Sequence, residues 1–264
     1  MKVKIGIFDS GIGGFTILNS LLKARKDVDV FYLADTKRNP FGNKNFKEIR
    51  SIAKEICTFF GNKNLDALLI ACNTTNACAL DILEDNLRVP CFDLINSVSE
   101  IVNKQKIGVL ATRATVESLY YKKVLSSKKE NLKIFQQECP GFVSEIEKEK
   151  LNFDRLDYLS DLYLRPLLNN NIEELILGCS HYPLIYNFLR KKIDSNIKII
   201  NPAEALIKKF NESFSNSKNN CYESLSNENI KFFVTSEKDE FAKKVRIWLE
   251  INKEITLVNL GSNV

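Results

Sequence analysis

The chain carries the same sequence pattern twice, and this duplication limits its fold more than any other feature does. KIGIF at position 4 matches KIGVL at 106, LDALLIACNTT at 65 matches IEELILGCSHY at 172, and VPCFDLINSVSEIV at 89 resembles IKIINPAEALIKKF at 197. The offsets are 102, 107 and 108 residues, so the two copies are colinear with small insertions. A duplication of this kind predicts two similar lobes related by a pseudo-two-fold axis.

Within each copy, short β-branched runs alternate with amphipathic stretches, which is the pattern of parallel α/β units. Strands are predicted at 4–8, 28–34, 66–71 and 89–92 in the first copy, and at 106–110, 132–137, 174–178 and 197–200 in the second. Helices are predicted at 14–24, 46–61, 76–86, 115–125, 156–168, 183–191 and 203–210. An Asn/Ser-rich loop at 211–229 then precedes a strand–helix–strand tail at 230–258.

The expected fold class is therefore α/β, with two similar lobes built on mainly parallel sheets and the active site in the cleft between them. We assign residues 1–95 together with 207–264 to the first lobe, which carries Cys72. Residues 96–206 form the second lobe, which carries Cys179.

Composition and charge narrow the class of protein. With 44% apolar and 27% charged residues, the 264-residue chain has ordinary globular composition. The net charge of +5 is spread along the chain, which argues against a nucleic-acid partner. The longest apolar runs, such as 67–72, are far shorter than the roughly 20 residues that span a bilayer. Seven cysteines, an odd number without an export signal, favour free thiols in the cytoplasm, and a single histidine argues against a metal site.

Two of the cysteines follow the third strand of their copy, where ligands bind in parallel α/β sheets. Cys72 and Cys179 each precede a predicted helix, whose N-terminal N–H groups and dipole are expected to lower a thiol pKa from its ordinary value of about 8.5. A single cysteine at the end of a buried strand is usually a small packing residue. The equivalent placement of two favours function, and we assign the other five to packing or to the surface: Cys57, Cys78, Cys91, Cys139 and Cys221.

Polar residues cluster at the same strand ends. They are Asp9 and Ser10 after the first strand, Asn73, Thr74 and Thr75 after Cys72, Thr112 in the second copy, and Ser180 and His181 after Cys179. Asp9 could instead cap the following helix, and His181 could be structural. Two more specific motifs are absent. The dinucleotide-binding fingerprint needs a glycine at position 16, where threonine stands. The nucleophile elbow of a hydrolase needs a glycine at position 181, where histidine stands.

Two thiols that face one carbon atom from opposite sides suit a single reaction above others. One removes the proton from a stereocentre and the other returns a proton from the far side, so the configuration inverts. Each acid/base group contributes roughly 10²–10⁴-fold. The site must also stabilise the carbanionic transition state and exclude water, and helix N-termini with neighbouring amide and hydroxyl groups are expected to bind the carboxylates of an amino acid.

The residues that carry this pattern resemble those of the glutamate racemases, within the aspartate/glutamate racemase superfamily. The resemblance rests on IGIFDSGIGG, NPFG at 39–42, ACNTTNA, CPGFVSEIE at 139–147 and LGCSHYPL, in order along essentially the whole chain. It implies a cofactor-independent two-base enzyme that interconverts L- and D-glutamate for peptidoglycan synthesis.

Carried over by position, the resemblance implies five catalytic residues: Cys72, Cys179, Asp9, His181 and Glu147. It implies substrate contacts at Asp9, Ser10, Phe41, Gly42, Asn73, Thr74, Thr75, Thr112, Thr115, Ser180 and His181. Phe41 stands where the family usually has tyrosine, so a hydroxyl is lost there, whereas Ser180 replaces threonine and keeps its hydroxyl.

Two other functions remain open from the sequence. An aspartate racemase or another cofactor-free racemase of the superfamily would show the same cysteines, because the depth of the pocket sets the length of the acid. A two-lobed amino-acid-binding protein without catalysis would bind its ligand and leave the α-proton in place. The expected partner is the small-molecule substrate glutamate, and a homodimer is left open.

Overall fold

Two parallel sheets, one in each copy of the repeat, organise the computed structural model, which describes residues 2–214 and 229–261. The strands of these residues are β1 (Val3–Asp9), β2 (Val28–Ala34), β3 (Ala67–Ile70), β4 (Cys91–Asp93), β5 (Lys106–Ala111), β6 (Lys133–Glu138), β7 (Glu174–Gly178), β8 (Lys198–Ile200), β9 (Ile230–Val234) and β10 (Ile255–Leu257). The first sheet has the order β10-β9-β2-β1-β3-β4 and the second has the order β6-β5-β7-β8. Paired neighbours in both sheets are parallel, so the predicted α/β fold class is confirmed.

Helices connect the strands as parallel pairing requires. They are α1 (Phe15–Ala24), α2 (Phe46–Gly61), α3 (Asn73–Asn86), α4 (Leu94–Ser99), α5 (Arg113–Glu117), α6 (Tyr120–Lys128), α7 (Phe142–Ile146), α8 (Phe153–Leu168), α9 (Tyr186–Arg190), α10 (Pro202–Ser213) and α11 (Lys238–Leu249). Short 3₁₀ turns lie at Thr36–Arg38, Phe41–Asn43 and Tyr182–Ile185. The peptide bond between Asn39 and Pro40 is cis.

The helix predictions need three corrections. The helix predicted at 115–125 is two helices, α5 and α6, because Leu119 adopts a left-handed conformation with φ of 55° and breaks the backbone pattern. The short helix α7 was not predicted, since five residues are too few for a periodic signal. The helix predicted at 183–191 begins as a 3₁₀ turn that contains Pro183, and only α9 is α-helical.

The tail at 230–257 extends the sheet of the first copy. β9 pairs with β2 and β10 pairs with β9, which adds two parallel strands at one edge. Helix α10 spans Pro202–Ser213, so the predicted boundary between residues 206 and 207 falls inside it. This helix packs on α1 and α4. The residue limits of the two lobes stay a prediction. Most of the predicted loop 211–229 lies outside the described residues, as does Cys221.

One buried apolar cluster connects the two sheets. Residues of α2 and α3, such as Ile56 and Leu83, belong to the same cluster as Ile107 and Val109 of β5 and Ile176 of β7. Burial of apolar surface contributes roughly 25 cal/mol per Å², so this continuous core resists separation of the lobes. The other face of each sheet packs in a separate cluster. That of the first sheet packs on α1, α10 and α11, and that of the second packs on α7, α8 and α9. The core thereby fixes how the two sets of strand ends meet.

In the described part of the chain, no helix combines the length and apolar character needed to cross a membrane. The same residues contain no group of three or more histidine, cysteine, aspartate or glutamate side chains placed to hold a metal ion.

Candidate active site

A small cavity lies where the carboxyl ends of the two sheets meet, and both predicted cysteines line it. It holds about 230 Å³ of empty space, part of which is open to solvent. Cys72 reaches it from the end of β3 and Cys179 from the end of β7. The cavity therefore brings together one thiol from each copy of the repeat.

Cys72 occupies the N-cap position of α3, as the sequence predicts, and is 3% exposed. Its Sγ lies 3.8 Å from Oγ of Ser10. Burial raises the pKa of the Cys72 thiol to about 12, and the nearby Asp9 carboxylate adds to this, while hydrogen bonding by Thr75 lowers it. The expected lowering of the Cys72 pKa is therefore wrong, because loss of hydration outweighs the helix N-terminus. Cys72 is held as a thiol.

Cys179 has a different environment, because no α-helix begins directly after it. The expectation of a helix N-terminus at this cysteine is wrong, since Tyr182–Ile185 is a 3₁₀ turn and α9 begins only at Tyr186. Its Sγ lies 3.9 Å from Nδ1 of His181 instead. The partner of this thiol is therefore an imidazole.

His181 connects Cys179 to a buried carboxylate. Its Nε2 lies 2.7 Å from Oε1 of Glu147. Burial lowers the pKa of His181, but hydrogen bonds and charge from Cys179 and Glu147 outweigh burial, and the net pKa lies well above its ordinary value. Burial would raise the pKa of Glu147, yet His181 and Lys244 lower it to about 2. An imidazolium–carboxylate pair thus stands behind Cys179.

Asp9 extends the site from the first sheet to the second. Its Oδ1 accepts a 2.8 Å hydrogen bond from Oγ of Ser180, and its Oδ2 accepts a 2.9 Å bond from the backbone N–H of Gly11. The side chain is fully buried, and burial raises its pKa, although the His181 charge and these hydrogen bonds oppose the rise. Asp9 thus lies near the Cys72 thiol and holds Ser180, the residue that follows Cys179.

Two glycines allow the loops of the two sheets to approach closely. A Cβ on Gly13 would overlap Oγ of Ser180 and would lie 2.8 Å from the backbone nitrogen of His181. A Cβ on Gly11 would overlap Oε1 of Glu147. The glycines of the DSGIGG segment thus serve contact between the two sheets, which is a different role from binding a phosphate.

Hydroxyl and amide groups form the opposite wall of the cavity. Oγ1 of Thr112 lies 2.9 Å from Oγ1 of Thr74 and 2.9 Å from Oγ1 of Thr115, so the three hydroxyls form a chain. Asn73 receives a 2.7 Å hydrogen bond from the Tyr121 hydroxyl on Oδ1, while its Nδ2 is buried with no partner among the described residues. A buried donor without an acceptor is a ready contact for a ligand.

Ten of the residues predicted from the sequence line the cavity: Ser10, Phe41, Gly42, Cys72, Asn73, Thr74, Thr112, Cys179, Ser180 and His181. The other four lie directly behind it. Asp9 contacts Ser180, Glu147 contacts His181, Thr115 contacts Thr112, and Thr75 lies beside Cys72. Their assignment as catalytic or substrate-binding residues stays a prediction.

Sequence reasoning missed five residues at this site. Asn39, Pro40 and Val143 line the cavity, Tyr121 binds Asn73, and Lys244 binds Glu147. Asn39 and Pro40 belong to the NPFG segment, whose first two residues were the available signal. Val143 lies in the CPGFVSEIE segment, which was likewise an available signal. Tyr121 and Lys244 have no local sequence signal, because they reach the site only through the packing of α6 and α11.

Known proteins share this fold and sequence across their whole length. The family described as Asp/Glu/Hydantoin racemase matches residues 17–210. A glutamate racemase from Prochlorococcus marinus is 44% identical over 98% of this chain and 97% of its own. The crystal structure of a Francisella tularensis glutamate racemase in complex with D-glutamate has a TM-score of 0.90 and 32% identity, covering 99% of each chain. One from Bacillus anthracis has a TM-score of 0.86 and 29% identity, covering 98% of each chain.

These comparisons agree with the resemblance that the motifs carry. The family matches most of the chain, and a relative is 44% identical over nearly all of it. Two parallel α/β lobes, a thiol from each at one cavity and a shared whole-chain sequence lead to the same conclusion: the chain belongs to the glutamate racemase family of the Asp/Glu/hydantoin racemases.

Proposed function

We propose that the protein interconverts L- and D-glutamate by transferring the α-proton between Cys72 and Cys179. The observation that carries the proposal is the convergence of these two thiols, one from each sheet, on one cavity of about 230 Å³. In one direction, Cys179 acts as a thiolate beside the His181 imidazolium, takes the α-proton and becomes a thiol. The Cys72 thiol gives its proton to the opposite face of Cα and becomes a thiolate. In the reverse direction the two cysteines exchange roles.

The walls of the cavity suit an amino acid. The unpaired Nδ2 of Asn73 and the Thr74 and Thr112 hydroxyls offer donors to carboxylate oxygens. Oδ1 of Asn39, also buried without a partner among the described residues, offers an acceptor to the ammonium group. Donors held in place before reaction stabilise the negative charge that develops as the Cα–H bond breaks. Their burial excludes water, which strengthens each interaction.

Glutamate is the substrate proposed because relatives that match almost the whole chain are named glutamate racemases and the Francisella structure holds D-glutamate. The proposal includes a cytoplasmic enzyme that supplies D-glutamate for peptidoglycan synthesis, as the sequence resemblance implies. The proposal leaves open whether the protein is a monomer or a homodimer. Light scattering of the purified protein measures its molar mass and decides between them.

Turnover in deuterium oxide tests the mechanism. The wild-type protein is expected to place solvent deuterium at Cα of each newly formed enantiomer of glutamate. Cys72→Ser and Cys179→Ser should each lose about 10²-fold or more of the interconversion, since each removes one acid/base group. Cys91→Ser is the matched control, because Cys91 is a half-buried thiol on β4 that lies outside the cavity lining.

Other results identify the alternatives. Faster turnover of D-aspartate than of D-glutamate would make the protein an aspartate racemase. Binding of glutamate without exchange of the α-proton would make it an amino-acid-binding protein. Near-normal turnover by either serine variant would exclude the two-base scheme.

A further inference from the structure

Glu147 is bound on both carboxylate oxygens, and only one of them faces His181. Oε1 lies 2.7 Å from Nε2 of His181 and accepts hydrogen bonds from Nδ2 of Asn39 at 2.9 Å and the backbone N–H of Ile12 at 3.2 Å. Oε2 lies 2.9 Å from Nζ of Lys244. Lys244 therefore holds the carboxylate by the oxygen that does not contact the imidazole.

Lys244 reaches Glu147 from a distant part of the chain. It lies on α11, which the buried side chains of Phe241 and Val245 anchor to the core of the first sheet. The Phe241 ring lies 5.4 Å from that of Phe15. The Lys244 side chain is 13% exposed and also pairs with Glu240 at 2.9 Å, one turn earlier on the same helix. The packing of α11 thus sets where the ammonium group lies.

Charge balance gives this lysine a role. Two carboxyl groups lie close to one imidazole: Asp9, which is fully buried, and Glu147, whose side chain is 16% exposed. Among the described residues, Lys244 is the lysine or arginine that forms an ion pair with Glu147. His181 and Asp9 are the charged groups on the active-site side of this pair. Lys244 also lines a second cavity, whose other charged residues are Glu240, Lys148, Glu149 and Lys243. Without this cation Oε2 would lose its ion pair, and the carboxylate would be held at Oε1 alone.

We propose that Lys244 is a positioning residue for the Cys179 half of the site: it fixes Glu147 as a carboxylate in the orientation that holds His181 against the Cys179 sulfur. Lys244 acts through Glu147 and does not line the cavity, so it affects the chemical step more than substrate binding. The expected effect on kcat rests on the proposed racemase activity. The expected effect on the contact between Glu147 and His181 rests on the geometry alone.

The single histidine of the chain makes the structural consequence measurable without assignment. The proton between His181 Nε2 and the carboxylate is expected to give one strongly deshielded signal in the NMR spectrum of the wild-type protein. In Lys244→Met the signal should move upfield or broaden, because the carboxylate is then held at Oε1 alone and can tilt away from the imidazole. Lys243→Met is the matched control: Lys243 is the exposed neighbour on α11, and its removal should leave the signal in place.

The kinetic consequence is a separation of kcat from KM. Lys244→Met is expected to lower kcat about tenfold, which is the lower end of the roughly 10–100-fold loss seen when an outer-shell partner is removed. KM should stay within twofold of wild type. Lys244→Arg, which keeps the charge, should recover most of the loss, and Glu240→Gln should cost little. Lys244→Gln is a second neutral variant if the methionine protein does not fold.

The outcomes separate this proposal from the proposed function. An unchanged histidine signal together with unchanged kcat in the neutral variants would overturn the positioning role, as would a rise in KM at constant kcat. If the wild-type protein does not racemise glutamate, the proposed function fails, while the histidine signal still decides whether Lys244 orients Glu147.

Discussion

The hydroxyl of Tyr121 donates a 2.7 Å hydrogen bond to Oδ1 of Asn73 and so links α6 to the first turn of α3 behind the cavity. The two residues come from different copies of the repeat. Because the tyrosine occupies Oδ1, the amide group presents its unpaired Nδ2. The amide that we propose as a substrate contact in one lobe is therefore oriented by a side chain of the other.

Tyr121→Phe is expected to weaken substrate binding. Loss of one neutral hydrogen bond costs about 1 kcal/mol, and the amide then samples a second orientation. KM for glutamate should rise about fivefold, with kcat within twofold. Steady-state kinetics beside Tyr120→Phe, its neighbour on α6, test this prediction, and an unchanged KM would contradict the orienting role.

Gly13→Ala should reduce activity through the contact between the lobes. A Cβ there would overlap Ser180 and crowd the backbone of His181, so the Cys179 loop has to shift. A displacement of about 1 Å is enough to cost about 10²-fold in rate. Gly61→Ala is the control, because a Cβ at that α2 position meets no atom within 4 Å and should stabilise the helix by about 0.5–1 kcal/mol. Equal activity of the two variants would show that the loops adapt.

Asp9→Asn should make the protein more stable and less active. Burial raises the Asp9 pKa, so the fold disfavours its ionised form, and stability is lost as pH rises through the folded pKa. The neutral variant is therefore expected to have the higher Tm at pH 7, with the difference shrinking under acid conditions. Turnover should fall about 10²-fold. A lower Tm at pH 7 would mean that the hydrogen bonds to Asp9 outweigh its burial.

Glu147→Gln is expected to show the opposite dependence on pH. The Glu147 pKa is lowered from 4.5 to about 2, so the carboxylate contributes stability above pH 4.5 that is lost as pH falls toward 2. The difference corresponds to an upper bound of about 3 kcal/mol, at 1.36 kcal/mol per pH unit. Urea unfolding of both proteins between pH 7 and 3 measures it. Exposed Glu149→Gln should follow the wild-type curve, and a gap of the same size at pH 7 and pH 3 would argue against an ionised Glu147.

The strand-end cysteines could be predicted from the sequence for a physical reason. In a parallel sheet the carboxyl ends of the strands lie at one edge, where ligands bind, so the duplicated pattern predicts one strand-end cysteine at that edge of each sheet. The structure brings Cys72 and Cys179 to one cavity. The protonation of Cys72 could not be predicted in the same way. The position of a helix start is visible in sequence, whereas the loss of hydration depends on what packs around the sulfur.

The supporting contacts were missed because nothing near them in sequence marks them. Lys244 is one of 38 lysines and arginines, and 97 residues separate it from Glu147. Tyr121 follows the break at Leu119, which a helix prediction for 115–125 passes over. Such contacts depend on how the lobes pack, and they become visible only with the fold.

The tail that adds β9 and β10 to the first sheet has a consequence for assembly during translation. The first sheet takes four strands from before residue 94 and two from after residue 229, with the whole second sheet between them in the chain. A nascent chain can therefore complete the second sheet while the first still has the edge of β2 open to other strands. Pausing of the ribosome between these two stages would prolong exposure of that edge and favour aggregation.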